Sequence, residues 1–272
     1  MSKDSVRTRR RQKVMKDRKG KGLIPDRQDV RDFQFSHVAN TIKAVRGVSK
    51  IPSRVDLRHL MSPVRDQKSL GSCTAQAVAA GLMESTQIEL TGKLDLPLST
   101  LHLYYNTRLR ARTVNQDSGA SLRDTIKTAA VTGVCSEAEW PYVLKDWNVK
   151  PSPETYDHVD LLKINNYYRV NNLNELKEAL AFSNPVVFGL MLYESFNDVS
   201  ENGVVKTPDA EAENFEGGHA MCAVGYDNKM KHVIVRNSWG SSWGDNGYCY
   251  IGYDYMGDSK FCVDMWTATF SL

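Results

Sequence analysis

Apolar positions fall into two regimes along the chain. Between Cys73 and about Thr91, residues Ala75, Val78, Ala79, Leu82 and Met83 recur at steps of three and four, the spacing of one buried helix face. Gly92 supplies the stop, and Ser72 stands where an N-cap is expected. The same reading predicts helices at LSTLHLYYNTRLRA and at SLRDTIKTAAVTG, the second closed by Gly133. Past EWPY the period changes. NELKEALAF is one more short helix, but PVVFGLML, HAMCAVGYDN, HVIVRNSW, GYCYIGYD and VDMWTATF are β-branched or aromatic runs separated by turn residues, which reads as strands. GYDNKMKH joins two of them as a hairpin. Helices first and strands after predict an α+β fold with two lobes, not a parallel sheet.

Charge changes the picture only upstream of this body. Residues 1–22 carry ten Lys/Arg against two Asp, leaving 25 basic and 30 acidic residues for the rest. The basic character therefore belongs to a tail without apolar periodicity, expected to be disordered or loosely helical. Such a run is either a solvated face or a salt-sensitive, sequence-blind contact with nucleic acid or another acidic surface. The following LIPDRQDVRDFQFSHV reads as an extended piece able to lie on a surface, with Phe33 and Phe35 in or beside a cleft. The organisation expected is a basic extension over 1–50 and a folded body over 51–272, helical to about 160 and β-rich from about 161.

A chain of 272 residues with 41% hydrophobic content can bury a sizeable core. It contains no apolar run of the ~20 residues that would predict membrane insertion, and no apolar stretch near its start that reads as a secretory signal. Five cysteines, an odd number without a CxxC pair, argue against a disulfide framework and a zinc knuckle. A cytoplasmic or other reducing intracellular compartment fits these features, with a virion or an exported effector left open. No metal or cofactor is expected, since neither HExxH nor a clustered His/Cys set occurs.

Chemistry concentrates at Cys73. A cysteine in the first turn of a helix meets unpaired backbone N–H groups and the positive end of the helix dipole, both of which favour the thiolate. Taken alone, a cysteine there is more often a small buried hydrophobe. Its surroundings decide. In PVRDQKSLGSCTAQA, Gln67 precedes it by six residues, on a loop whose Gly71 lets the backbone fold beside the thiol. That amide and the Cys73 N–H form a candidate oxyanion hole. Downstream, His219 enters an apolar strand after two glycines in EGGHAMCAVGY, as a general base. Asn237 in VRNSWGSSWGDNGY is placed to orient the imidazole through its second nitrogen, and Trp239 to shield that bond from water.

These blocks resemble the papain family of cysteine proteases from about Ile51 to Leu272. PSRVDLR is similar to the start of a mature enzyme of that family, PVRDQ to its oxyanion loop, GSC to its nucleophile turn and NSWGSSWGDNGY to its asparagine loop. The resemblance implies a helical lobe carrying the nucleophile, an antiparallel β-barrel-like lobe, and an active-site cleft between them. It implies a thiol peptidase, an endopeptidase acting on peptide or protein substrates, with Cys73 as nucleophile, His219 as base, Asn237 as its orienter and Gln67 in the oxyanion hole. By the same resemblance Ser118 and Gly119 line the cleft with backbone hydrogen bonds, and Gly189 and Ala220 wall a roomy, neutral specificity pocket. The chain departs from the family pattern at Leu70 and in QDSGASLRD, where one bridge's two cysteines are missing, and directly after the nucleophile, where Thr74, Ala75 and Gln76 follow. Two rivals share the same residues: a restrained or non-hydrolytic peptide-binding scaffold, and an acyl transferase.

Overall fold

The computed structural model describes residues 19–157, 159 and 163–271. The tail expected to be disordered lies mostly outside them, at residues 1–18. Ahead of the body a short helix, α1 (Ala39–Val45), follows a 3-10 turn at Phe35–His37. The central helix starts as α2 (Cys73–Ala75), widens into a π-helix over Gln76–Met83 and ends as α3 (Glu84–Thr91). Gly92 closes it in the left-handed conformation, φ 79°, the stop that a residue without a Cβ makes inexpensive. Ser72 does not cap this helix through its side chain; its hydroxyl is instead paired with the Tyr142 hydroxyl at 2.7 Å. The other two helix starts are capped. Ser99 accepts from the His102 amide at the head of α4 (Thr100–Arg110), and Ser121 accepts from the Asp124 amide at the head of α5 (Leu122–Val131).

The β-rich part contains the five strands read from the sequence, β3 (Val186–Tyr193), β5 (Phe215–Asp227), β6 (His232–Arg236), β7 (Tyr248–Gly252) and β8 (Cys262–Ser271). It adds three that the pattern did not announce, β1 (Arg54–Asp56), β2 (Lys163–Val170) and β4 (Val204–Val205). Among the described residues the sheet runs β2-β8-β3-β5-β6-β7-β4, with β1 paired to β5. Among the described residues its two ends do not pair, so the sheet is open, within the α+β architecture that helices first and strands after predict. Helix α6 (Leu173–Ala181), capped by Asn172, packs on the sheet, and the short α7 (Tyr253–Gly257) precedes β8. The Cys73 end of the central helix meets β5, which brings a helix start against a strand almost 150 residues away in sequence. None of the described helices is long and apolar enough to cross a membrane.

The segment before Ile51 is fastened to this body. Arg169 on β2 holds Asp26 at 3.0 Å, Asp32 at 3.0 Å and Asp264 at 3.4 Å, and its guanidinium stacks 4.4 Å from the Trp266 ring. Arg123 on α5 pairs with Asp32 as well. The side chains of Asp26, Asp32 and Asp264 are all less than 10% exposed. Burial, with Asp26 nearby, pushes the Asp264 carboxyl above its usual range. Removing one partner of such a cluster leaves uncompensated buried charge at a cost of about 3–5 kcal/mol. Arg169→Met is therefore expected to lower the melting temperature and to open residues 19–50 to limited proteolysis; an unchanged cleavage rate there would show that the fastening lies elsewhere.

Candidate active site

Cys73 begins the central helix, fully buried. His219 lies on β5 opposite Leu190 of β3, and Asn237 directly follows β6. His219 Nε2 donates to Asn237 Oδ1 at 2.8 Å, and the Trp239 ring lies over the imidazole with centroids 4.8 Å apart. In the neutral ring, with Nε2 as the donor, Nδ1 is left unprotonated; it is buried and without a hydrogen-bond partner among the described residues. The Cys73 thiol meets the backbone amides of Ala220, next to His219, and of Thr74.

Gln67 is also fully buried. Its Oε1 accepts from the Ser238 hydroxyl at 2.5 Å, its Nε2 donates to the Leu70 carbonyl at 2.8 Å, and its backbone is held by Ser238 and by the Tyr142 hydroxyl. The Gln67 loop and the Asn237 loop are thus tied to each other. Glu84, completely buried on α3, receives Arg65 and the Leu98 amide, fixing the chain ahead of Gln67 to the central helix.

The space in front of Cys73 is filled by the protein's own chain. The Gly20 amide donates to Lys68 O at 2.7 Å, and its carbonyl accepts from Trp239 Nε1 at 3.2 Å. Ala120 N donates to Gly22 O at 2.8 Å, Ile24 N donates to Ala120 O at 3.0 Å, and Leu23 N donates to Gly218 O at 3.2 Å. The Gly22 amide faces the Cys73 thiol. The fit is backbone on backbone: a Cβ at Gly20 would overlap the Leu70 carbonyl, one at Gly22 the Gly71 carbonyl, and one at Gly119 the Gly22 carbonyl. The Leu23 side chain is buried over Gly189 and Gly218, beside Val263.

The reading that put Phe33 and Phe35 at the cleft is therefore corrected. Phe35 is buried with its ring centroid 6.3 Å from that of Phe182, and Phe33 is mostly exposed. What enters the cleft is Gly20–Ile24, part of which the charge pattern had assigned to a basic tail. Two of that tail's lysines are engaged: Lys19 donates to Trp239 O at 3.0 Å, and Lys21 pairs with Glu216 at 2.6 Å. The signal available in the sequence was GKGL itself, two glycines one residue apart ahead of an isolated leucine.

Of the residues named for the cleft walls, Gly189 and Ala220 face each other across β3 and β5, and Gly189 lies under Leu23. Gly119 takes the left-handed conformation, φ 73°, but its own amide donates to the Tyr104 hydroxyl at 3.1 Å. The edge that pairs with an extended chain is Ala120, one residue on. Ser118 donates to Thr113 Oγ1 at 2.8 Å.

Covering the cleft changes its electrostatics. Burial pushes the Cys73 thiol up to about 11, despite the opposing pull of the surrounding amides. Burial lowers His219 to about 4, against the raising effect of its bond to Asn237, and the Lys21 charge acts in the lowering direction. With the segment seated, burial thus disfavours the charged form of each group, the Cys73 thiolate and the His219 imidazolium alike.

A family model described as papain family cysteine protease matches residues 51–264. The chain belongs to the papain family of cysteine proteases. It is 35% identical over 266 residues to an uncharacterized peptidase C1-like protein of Acanthamoeba polyphaga mimivirus, covering 90% of this chain and 85% of that one. It is 32% identical over 210 residues to cathepsin K of Gallus gallus, covering 75% of this chain but only 59% of the cathepsin. Among solved structures, xylellain, a cysteine protease from Xylella fastidiosa, superimposes with a TM-score of 0.81 at 34% identity, over 93% of this chain and 97% of that one. A Carica candamarcensis cysteine protease solved in complex with E-64 gives a TM-score of 0.63 at 25% identity, over 80% and 99%. The fold is papain-like and the chain is a papain-family cysteine peptidase, a hydrolase.

Proposed function

We propose that this papain-family peptidase is an endopeptidase in which Cys73 attacks a peptide carbonyl and His219, oriented by Asn237, moves the proton. His219 Nδ1, unprotonated and without a hydrogen-bond partner among the described residues, takes the thiol proton once the cleft is open to a substrate. The resulting thiolate adds to the carbonyl carbon, and the Gln67 amide and the Cys73 N–H stabilise the oxyanion. His219 then protonates the leaving amine, and water releases the acyl group from sulfur. Trp239 keeps water from the imidazole–Asn237 bond.

One observation carries this reading: the structure holds an extended peptide, Gly20–Ile24, by backbone hydrogen bonds on both sides of Cys73. A cleft that grips an extended chain in this way is built for peptides. Leu23 over Gly189 supports a neutral pocket that accepts an apolar side chain, and best substrates carrying an acidic residue at that position would overturn it. The restrained-enzyme reading gains from the same segment, so the full chain is proposed to be a latent form. Five free, buried cysteines suit a reducing compartment.

The test is intact mass after treating the reduced full chain with a peptidyl epoxysuccinyl inhibitor, with Cys73→Ala alongside. A single adduct that maps to Cys73, forms slowly and is lost in the variant is the expected result. An adduct retained by Cys73→Ala would overturn the assignment of the nucleophile.

A further inference from the structure

Asn237 is only half explained by its bond to His219. Its Oδ1 accepts from His219 Nε2 at 2.8 Å and from the Ser238 amide at 2.8 Å. Its amide end, Nδ2, is buried without a partner among the described residues. The two N–H groups at Oδ1 set which way the amide faces, but its unmet nitrogen end leaves the tilt of the group, and so of the imidazole bonded to it, without a second anchor.

The missing partner is suggested by a small cavity lined by Gln76, Ala77, Ala220, Arg236, Asn237 and Ser238. It offers about 10 Å³ to water centres, close to the space one molecule requires. Three of its lining residues carry a buried polar atom without a partner: Gln76 Oε1, Arg236 Nε and Asn237 Nδ2. One is an acceptor and two are donors, the complement of a single water that accepts twice and donates once. Gln76 itself is 2% exposed and anchored at its other end, where Nε2 donates to Thr100 Oγ1 at 3.0 Å. The same side chain acts on the Tyr142 phenol, whose hydroxyl donates to Gln67 O.

We propose that one ordered water occupies this cavity, and that through it Gln76 fixes the Asn237 amide and so the tautomer and tilt of His219. Gln76 is then a positioning residue, three places after the nucleophile on the first turns of the central helix, linking Thr100 to the His219–Asn237 pair. Its catalytic relevance rests on the role proposed above for His219, but the site itself does not.

Two measurements on the full chain test it. A high-resolution crystal structure is expected to show a water within hydrogen-bonding distance of Gln76, Arg236 and Asn237; an empty cavity, or a water that contacts Arg236 alone, overturns the proposal. Histidine nitrogen NMR is expected to show His219 as the single Nε2–H tautomer. Gln76→Met, which keeps the volume and removes the polar end, is expected to turn that into a mixture, while Gln76→Glu, which keeps an acceptor oxygen, preserves it. A Gln76→Met chain that melts earlier yet keeps the single tautomer makes Gln76 a packing residue and overturns the proposal. If that variant does not fold, the crystal structure decides alone. Neither readout depends on turnover, so a chain that fails to cleave peptides leaves both interpretable.

Discussion

Replacing Gly22 with valine is expected to accelerate labelling of Cys73 in the full chain by about 100-fold or more. The new side chain would collide with the Gly71 backbone, which cannot swing aside as a flexible side chain does. The segment must lift, losing the backbone bonds of Leu23 and Ile24 and the two between Gly22 and Gly20 and their partners. At about 1 kcal/mol net for each of these four bonds and roughly 2 kcal/mol for re-exposing Leu23, the total is about 6 kcal/mol, and half of it shifts the open fraction by about a hundredfold. Rates of epoxysuccinyl adduct formation in the two chains, at matched concentration, measure it directly. Equal rates would show that the seated segment does not limit access.

The second large effect is on turnover in that opened chain. Adding His219→Ala is expected to reduce cleavage of a fluorogenic peptide by about 10⁶-fold, the scale on which a base acting as a unit with its nucleophile is felt. The pH dependence should separate the two states. In the intact chain burial holds His219 near 4, so at pH 6 it is uncharged. With water restored its pKa returns toward the ordinary ~6.5, so over that interval the opened state binds more protons and acid favours opening through this group. Asp264, raised by burial and by Asp26, works in the opposite direction, because withdrawing Asp26 lets it ionise more readily. Following His219 by proton NMR in both chains resolves its share. A His219 that titrates at the same pH in intact and Gly22→Val protein would contradict this account.

How far the sequence spoke depends on how local each signal is. Cys73, Gln67, His219 and Asn237 could be named because each stands at a junction that short motifs mark: a helix start, a glycine-bearing loop, a strand entry after two glycines, a strand exit. The helices capped by Ser99 and Ser121 were readable for the same reason. The two-residue β4 was not, since its parallel pairing with β7 leaves no mark in its own composition. Ser72 looked like a cap, but Tyr142, seventy residues away, takes its hydroxyl. The cleft segment was hidden most completely. Gly20 and Gly22 carry no side chains to advertise a contact, the lysines beside them imitate a solvated run, and the partners of the two glycines at Lys68, Ala120 and Trp239 are scattered through the chain. Gln76 read as an ordinary position on a helix, because its significance lies in the atom that finds no partner.

The thiol held at about 11 bears on more than catalysis. Peroxide and other electrophiles react with the thiolate, and oxidation beyond the sulfenic acid is not reversed for most proteins. A protonated, covered Cys73 therefore ages slowly. The four other cysteines, Cys135, Cys222, Cys249 and Cys262, are likewise buried and free, so the resting chain presents oxidants with no exposed thiol among the described residues. In the latent form proposed above, Cys73 can be kept in reserve without spoiling, and it becomes perishable only when the segment lifts.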